Sequence, residues 1–291
     1  MLTRELIAKV RKLEIKTRKI VEDIAGGAYH SMFKGRGIEF SEVRAYSMED
    51  DVRDIDWNVT ARMGAPYIKK YVEERELTVI LAVDLSGSVE FGTTETDKRS
   101  KMAEVAALLA FSAIRNHDKV GLLLFTDREE LYLAPKSGRF HVLRVIRELV
   151  GCEVNGRGTD LPRALEFLSR SLKKRSVIFL LSDFADCGDW EKPLKLLARR
   201  HDVAAFRVQD PLEYSLPCDP VIQFADSENG GLCLYDAGND IYRAVQESLR
   251  KETEDQLRRS DVDMVDIPVE KDVVPPLIRF FKSRRLQSRR A

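Results

Sequence analysis

Three separated segments hold oxygen-bearing side chains of one chemical kind. "DLSGS" carries Asp84, Ser86 and Ser88, "NGRGTDLPRAL" carries Thr159, and "FLLSDF" carries Asp183. Asp84 ends an apolar run, "LTVILAVD", and Asp183 ends another, "SVIFLLSD". Two carboxylates and three hydroxyls are hard ligands, the set that Mg²⁺ prefers and Mn²⁺ accepts. Two carboxylates balance a divalent charge, and neutral hydroxyls fill the shell without over-neutralising it. An ion so held stays electrophilic toward one more anionic oxygen.

Each piece also has an ordinary reading. D-x-S-x-S is short enough to arise by chance, Thr159 can be the N-cap of the helix "DLPRAL", and Asp183 can be a turn residue closing its strand. Other chemistries find less. The four histidines (His30, His117, His141, His201) show no HExxH spacing, Ser86 lacks a G-x-S-x-G elbow, and there is no P-loop. Asp84 has no second aspartate at plus two, as a phosphoaspartyl hydrolase would need. A Mg²⁺-dependent phosphoester hydrolase using the same edge is the alternative to a binding site. It lacks a visible base or nucleophile. A scaffold with a vestigial site is a third option.

The elements that must position these residues follow from hydrophobic periodicity. Leu2, Leu6, Val10, Leu13, Thr17, Ile20 and Ile24 form a helical stripe whose other face is basic and reads as solvated, and "GGAYHSMFKGRG" breaks it. "YIKKYVEERELTVILAVD" contains a first strand and then a fully apolar one. From there strands and helices alternate. "DKRSKMAEVAALLAFSAIRN" is a helix capped near Thr96 or Asp97, and "KVGLLLFT" is a strand. "RFHVLRVIRELV" and "DLPRALEFLSRSL" are helices, "SVIFLLSD" a strand, "WEKPLKLLARR" a helix and "DVAAFRVQD" extended. A hairpin turning at "ENGG" in "VIQFADSENGGLCLYD", the helix "IYRAVQESLRKETEDQLRRS", the strand "VDMVDIPV" and the helix "VPPLIRFFKSRR" complete the order. Strands apolar throughout need cover on both faces. The expected fold is therefore α/β, a doubly wound, mostly parallel sheet. Ligands in such sheets bind beyond the carboxyl ends of the strands, where strand order reverses. Asp84 and Asp183 both sit at such ends.

"DLSGS", "GRGTD" and "LLSD", in that order, resemble the metal-ion-dependent adhesion site of von Willebrand factor A domains. The resemblance implies that Ser86, Ser88 and Thr159 supply hydroxyls and that Asp84 and Asp183 bind the ion directly or through water. A second signature, "FSEVRAYSMEDDVRDIDWNVTAR" at 40–62, resembles the bacterial domain-of-unknown-function fifty-eight family, with a pattern near R-x-Y-x-x-G-D-D-x-R-x-I-D-W-x-x-x-A-R. Arg44, Tyr46, Asp50, Asp51, Arg53, Ile55, Asp56, Trp57, Ala61 and Arg62 match, and Glu49 stands where glycine is usual. "DPLEYSLP" and "PLIRFFKSRR" extend the likeness. Members of that family typically accompany MoxR-type AAA+ ATPases. The resemblance thus implies an adaptor or co-chaperone that works with such an ATPase on a client protein. The alternating Asp and Arg around Trp57 are expected to form a buried ion-pair network locking the N-terminal segment to the sheet, with a docking or catalytic surface as the other option.

The 291 residues are divided as 1–75, an N-terminal helix and signature extension; 76–270, the von Willebrand factor A-like domain; and 271–291, a C-terminal helix and basic tail. With 48 basic and 48 acidic residues the net charge is zero, which removes the bulk electrostatic case for nucleic acid. The four cysteines form no CxxC pair and read as free thiols of a reducing compartment. The longest apolar stretch, "VAALLAFSAI", is too short to span a bilayer, so a cytoplasmic protein is the expectation; the resemblance implies that it is a metal-dependent interaction module and not an enzyme.

Overall fold

The structure, a computed structural model, describes Arg11, Glu14 and residues 39–47, 50–72, 76–90, 92–93, 96–185, 188–213, 222–225, 231–235 and 241–288. The helix expected over 2–24, the glycine-rich break after it, most of the "ENGG" turn and the end of the basic tail lie outside those residues.

The chain enters as an antiparallel ribbon, β1 (Glu39–Ala45) with β2 (Tyr67–Val72), which brackets a short helix, α1 (Trp57–Met63). Then come β3 (Thr78–Asp84), α2 (Lys98–Arg115), β4 (Lys119–Phe125), β5 (Glu129–Lys136), α3 (Arg139–Gly151) and α4 (Leu161–Ser171). β6 (Val177–Ser182), α5 (Glu191–Arg200), β7 (Asp202–Gln209), the hairpin β8 (Ile222–Ala225) and β9 (Leu232–Tyr235), α6 (Ile241–Arg259), β10 (Asp263–Pro268) and α7 (Val274–Ser288) follow.

Six strands form one sheet in the order β10-β7-β6-β3-β4-β5, all neighbours parallel except the β4–β5 pair. This is the doubly wound, mostly parallel α/β sheet expected. Alternation along β3 shows why both faces are covered. Val79, Leu81 and Val83 join a core with residues of α2, α3 and α7, whereas Ile80 and Ala82 join a second core with α4, α5 and Leu257 of α6. A period of two sends neighbouring side chains to opposite faces, so an unbroken apolar run needs two helical layers. Full burial of each Val, Leu or Ile contributes about 1.5–3 kcal/mol.

The C-terminal helix, placed by sequence in its own segment from residue 271, shares the first core through Leu277, Phe280 and Phe281. β5 is an edge strand that the apolar pattern did not announce. "EELYLAPK" is only half-buried along most of its length and pairs on one side alone, so no continuous apolar run marks it.

Among the described residues of the signature at 40–62, Trp57 and the Arg44–Asp50 pair lie at the surface and not in the buried network expected. Trp57 is 67% exposed. The Arg44–Asp50 pair is a two-pronged surface bridge, with distances of 2.9 and 2.6 Å. The acids serve backbone N–H groups close by in sequence. Asp50 accepts from Ser47, Asp51 from Arg53, and Asp56 caps α1 by accepting from Asn58 and Val59. A donor two or three residues away is reached without ordering a long partner side chain, so local capping is favoured over pairing at a distance.

Candidate functional site at the carboxyl edge of the sheet

The chain runs from β3 outward to β4 and β5, then returns to place β6 on the other side of β3. The switch in strand order therefore lies between β3 and β6; Asp84 ends β3 and Asp183 directly follows β6.

Asp84 is fully buried, and both its oxygens are engaged. Oδ1 accepts from the Ser86 amide at 2.9 Å, and Oδ2 accepts from the Ser182 hydroxyl at 2.7 Å. Burial, aided by the charge of Asp183, pushes the Asp84 carboxyl up to about 7 against the pull of those two donors. The hydroxyls of Ser86 and Ser88 are 3.1 Å apart. Ser182 is not among the residues expected from the sequence, although it stands next to Asp183 in "LLSD". Its hydroxyl joins β6 to Asp84 and accepts from the Phe184 amide at 2.9 Å. Phe184 has φ of +58°, a region uncommon for residues other than glycine, and the turn it makes begins just past Asp183.

Asp183 lies beside Asp84, close enough to raise its pKa, and accepts from the Ala185 amide through Oδ1 at 3.1 Å. Its Oδ2 is held by an unforeseen partner, the Lys98 ammonium, at 2.7 Å. Lys98 opens α2 and also reaches Glu213 at 2.5 Å. Burial pulls its pKa down, but Asp183 and Glu213 more than offset this and hold it above the usual lysine value. Burial raises the Glu213 carboxyl, against the opposing charge of Lys98. Glu213 ends the short turn Pro211–Glu213 after β7, and that turn is anchored by the buried Asp210, which accepts from the Thr93 amide and hydroxyl.

Thr159 lies on a third loop. The cap of α4 is its neighbour Asp160, whose carboxylate accepts from the Arg163 amide at 2.9 Å, so Thr159 is not the capping residue. Two bonds fix the loop on this edge: the Gly87 amide donates to the Arg157 carbonyl at 2.7 Å, and the Asp160 amide to the Thr126 carbonyl at 3.0 Å. Glu130 organises its approach by accepting from Thr126, Asn155 and Gly156. These bonds outweigh the opposing effect of burial and keep its carboxyl below the usual range. A Cβ on Gly156 would lie 2.1 Å from Asp127 Oδ1 and 2.2 Å from Thr126 Oγ1, so the loop packs at a distance only glycine permits. Asp84, Ser86, Ser88 and Asp183 thus form one cluster with Ser182 and Lys98, and Thr159 stands on the adjoining loop.

Among the described residues no group of three or more His, Cys, Asp or Glu side chains is arranged to hold a metal. The oxygen set here is of another kind, two carboxylates flanked by hydroxyls. Asp183 and Glu213 hold one ammonium, Lys98, and Asp84 stands beside Asp183, so with all three carboxylates ionised the group carries two excess negative charges. A divalent cation fits that excess and that donor chemistry. A cavity of about 560 Å³ opens beside it, lined in part by Asp183, Phe184, Trp190, Glu213, Leu249 and Arg250.

Sheet order, switch point and edge cluster together define a doubly wound α/β domain with a polar site at its carboxyl edge. The chain belongs to the family described as protein of unknown function DUF58, whose profile matches residues 42–256. The uncharacterized protein Rv1480 of Mycobacterium tuberculosis is 29% identical over 287 residues, which cover 97% of this chain and 90% of that one. Among solved structures, an aerotolerance-related membrane protein from Bacteroides fragilis shares the fold at a TM-score of 0.51 and 14% identity, over 72% of this chain and 99% of that one. The VWA domain of SpRpn10 matches more loosely, at a TM-score of 0.40 and 11% identity over 71% of this chain and 95% of its own. Among the described residues no helix is long and apolar enough to cross a membrane.

Proposed function

We propose that this protein is a metal-dependent protein-interaction module, with Asp84, Ser86, Ser88, Thr159 and Asp183 holding Mg²⁺ or Mn²⁺. The observation that carries the reading is the placement of Asp84 and Asp183 at the ends of adjacent strands, at the switch point, with the Ser86–Ser88 hydroxyl pair beside them. A bound ion supplies a positive centre able to accept an anionic oxygen from outside the chain. An Asp or Glu of a partner protein is the simplest donor, and the cavity beside Asp183 offers room for the residues around it.

Where the histidines stand supports binding over catalysis by an imidazole base. His117 precedes β4, His141 Nε2 meets the Val120 carbonyl at the start of β4, and His201 precedes β7. In parallel strands that is the edge opposite Asp84, so none of these three imidazoles can act as a base there. The family resemblance points to a MoxR-type AAA+ ATPase as the partner, with this cytoplasmic chain as an adaptor toward a client.

Calorimetry with a MoxR-type ATPase in Mg²⁺ and in EDTA tests the proposal. Affinity should collapse in EDTA and in Asp183→Asn, and Thr159→Ala should weaken it. Mn²⁺ should raise the melting temperature of the wild type by linkage and leave Asp84→Asn unmoved. Tight binding indifferent to EDTA would reject the metal bridge. Metal-dependent phosphoester hydrolysis abolished by Asp183→Ala would favour an enzyme.

A further inference from the structure

Lys98 is an unusual residue for its position. The N-terminal turn of a helix carries a partial positive charge, so a cation there is disfavoured and acids are the rule. Lys98 is the first residue of α2, only 2% exposed, and no acidic residue occupies that turn. Burying an ammonium against the dipole is tolerable only if it is well paired. The pairing is supplied by two carboxylates from different segments, Asp183 after β6 and Glu213 after β7, at 2.7 and 2.5 Å.

We propose that Lys98 is a built-in counter-cation that competes with a divalent ion for Asp183, and that Glu213 is the partner that retains the ammonium when the ion takes Asp183. The inference rests on the metal-site reading above and adds what sets its affinity. Without the ion, the ammonium neutralises Asp183 and keeps the strand edge from being a bare acidic cluster. With the ion, two cations would crowd one carboxylate, and the existing contact to Glu213 gives Lys98 somewhere to go without leaving the protein. Glu213 is tied to its own turn, its Oε2 accepting from the Asp210 amide at 3.0 Å. Ion occupancy at Asp183 is thereby felt at the Asp210–Glu213 turn, which lines the same cavity through Glu213. The ion then changes both the charge at the site and the wall of the cavity beside it.

The test is Mn²⁺ calorimetry on the whole chain, comparing wild type, Lys98→Met, Glu213→Gln, the double variant and Asp183→Asn. Lys98→Met keeps the length of the stem and removes the competitor, so Mn²⁺ should bind about ten-fold tighter, the scale of one charge-assisted hydrogen bond. Glu213→Gln removes one of the two carboxylates that hold the Lys98 ammonium and makes it depend more on Asp183, so Mn²⁺ should bind about ten-fold more weakly. In the Lys98→Met background the Glu213 change should lose most of its effect, because no ammonium remains to be accommodated. Mn²⁺ binding detectable only in Lys98→Met would support the proposal equally. If Lys98→Met binds as the wild type does or more weakly, while Asp183→Asn abolishes binding, the competition is refuted and the metal site stands. If neither wild type nor Lys98→Met binds Mn²⁺, both readings fall. Should Lys98→Met not fold, ¹⁵N-lysine spectra of the wild type titrated with Mg²⁺ decide: the Lys98 ammonium signal should move as the site fills, and an unmoved signal at saturation overturns the proposal.

Discussion

The hydroxyl of Ser182 donates to Asp84 Oδ2 at 2.7 Å across the β3–β6 switch point, between residues 98 positions apart in the chain. The Ser182 hydroxyl oxygen in turn accepts from the Phe184 amide. One side chain thus satisfies a buried carboxylate and pins the first turn after β6.

Ser182→Ala removes both bonds and leaves polar groups buried without them. Each such group costs about 1–3 kcal/mol, so thermal unfolding should begin clearly lower. Mn²⁺ affinity should fall as well, since Asp84 loses a partner and the turn that follows Asp183 loses its pin. A variant with unchanged melting temperature would show that water replaces the hydroxyl at no cost.

Gly156→Ala should disturb the Thr159 loop without touching a candidate ligand. Its Cβ would meet Asp127 and Thr126 side-chain atoms at 2.1 and 2.2 Å, so the loop or β4's end must shift. Overpacking of this kind costs about 1–3 kcal/mol. Denaturant midpoints should drop, and Mn²⁺ binding should weaken more than in an exposed control substitution.

His201 gives the fold a pH dependence remote from the site. It is buried, its Nδ1 accepts from the Ser176 amide at 3.2 Å, and its Nε2 meets no partner among the described residues. Burial first, then the charges of Arg200 and Arg175, hold its pKa below the ordinary 6.5. The unfolded chain therefore takes up a proton that the folded chain refuses. Stability from this residue is complete above 6.5 and is lost as pH falls through that value toward the lower folded pKa. Because the raised Asp84 carboxyl responds to pH in the opposite sense, the His201 contribution is read as a difference: between about pH 7.5 and about pH 5.5, urea unfolding of the wild type should lose more stability, or gain less, than that of His201→Gln.

Trp57→Ala should barely change stability, within about 0.5 kcal/mol, because the side chain is exposed and no core depends on it. Denaturant melts of the variant check this directly. A loss of several kcal/mol would restore the buried network that the signature's charge pattern suggested.

Sequence by itself determined the apolar strands, the long helices and the placement of the acids, and left β1, α1 and β5 unmarked. The apolar runs ending in Asp84 and Asp183 are long and unbroken, and periodicity over some ten residues is enough to read strand, helix and carboxyl end. The cap at Asp97 was equally local. Tertiary structure alone decided what surrounds those acids. Lys98 reaches Asp183 over 85 positions and Glu213 over 115, and no short-range pattern marks a lysine that will be buried. Such meetings depend on strand order, which places β6 beside β3 although β4 and β5 intervene in the chain. Exposure was likewise settled by packing: Asp50, Asp51 and Asp56 each accept from an N–H group within three residues, and the Trp57 indole stands outside. Periodicity records which face of an element is apolar, but which polar groups meet depends on how the faces are stacked.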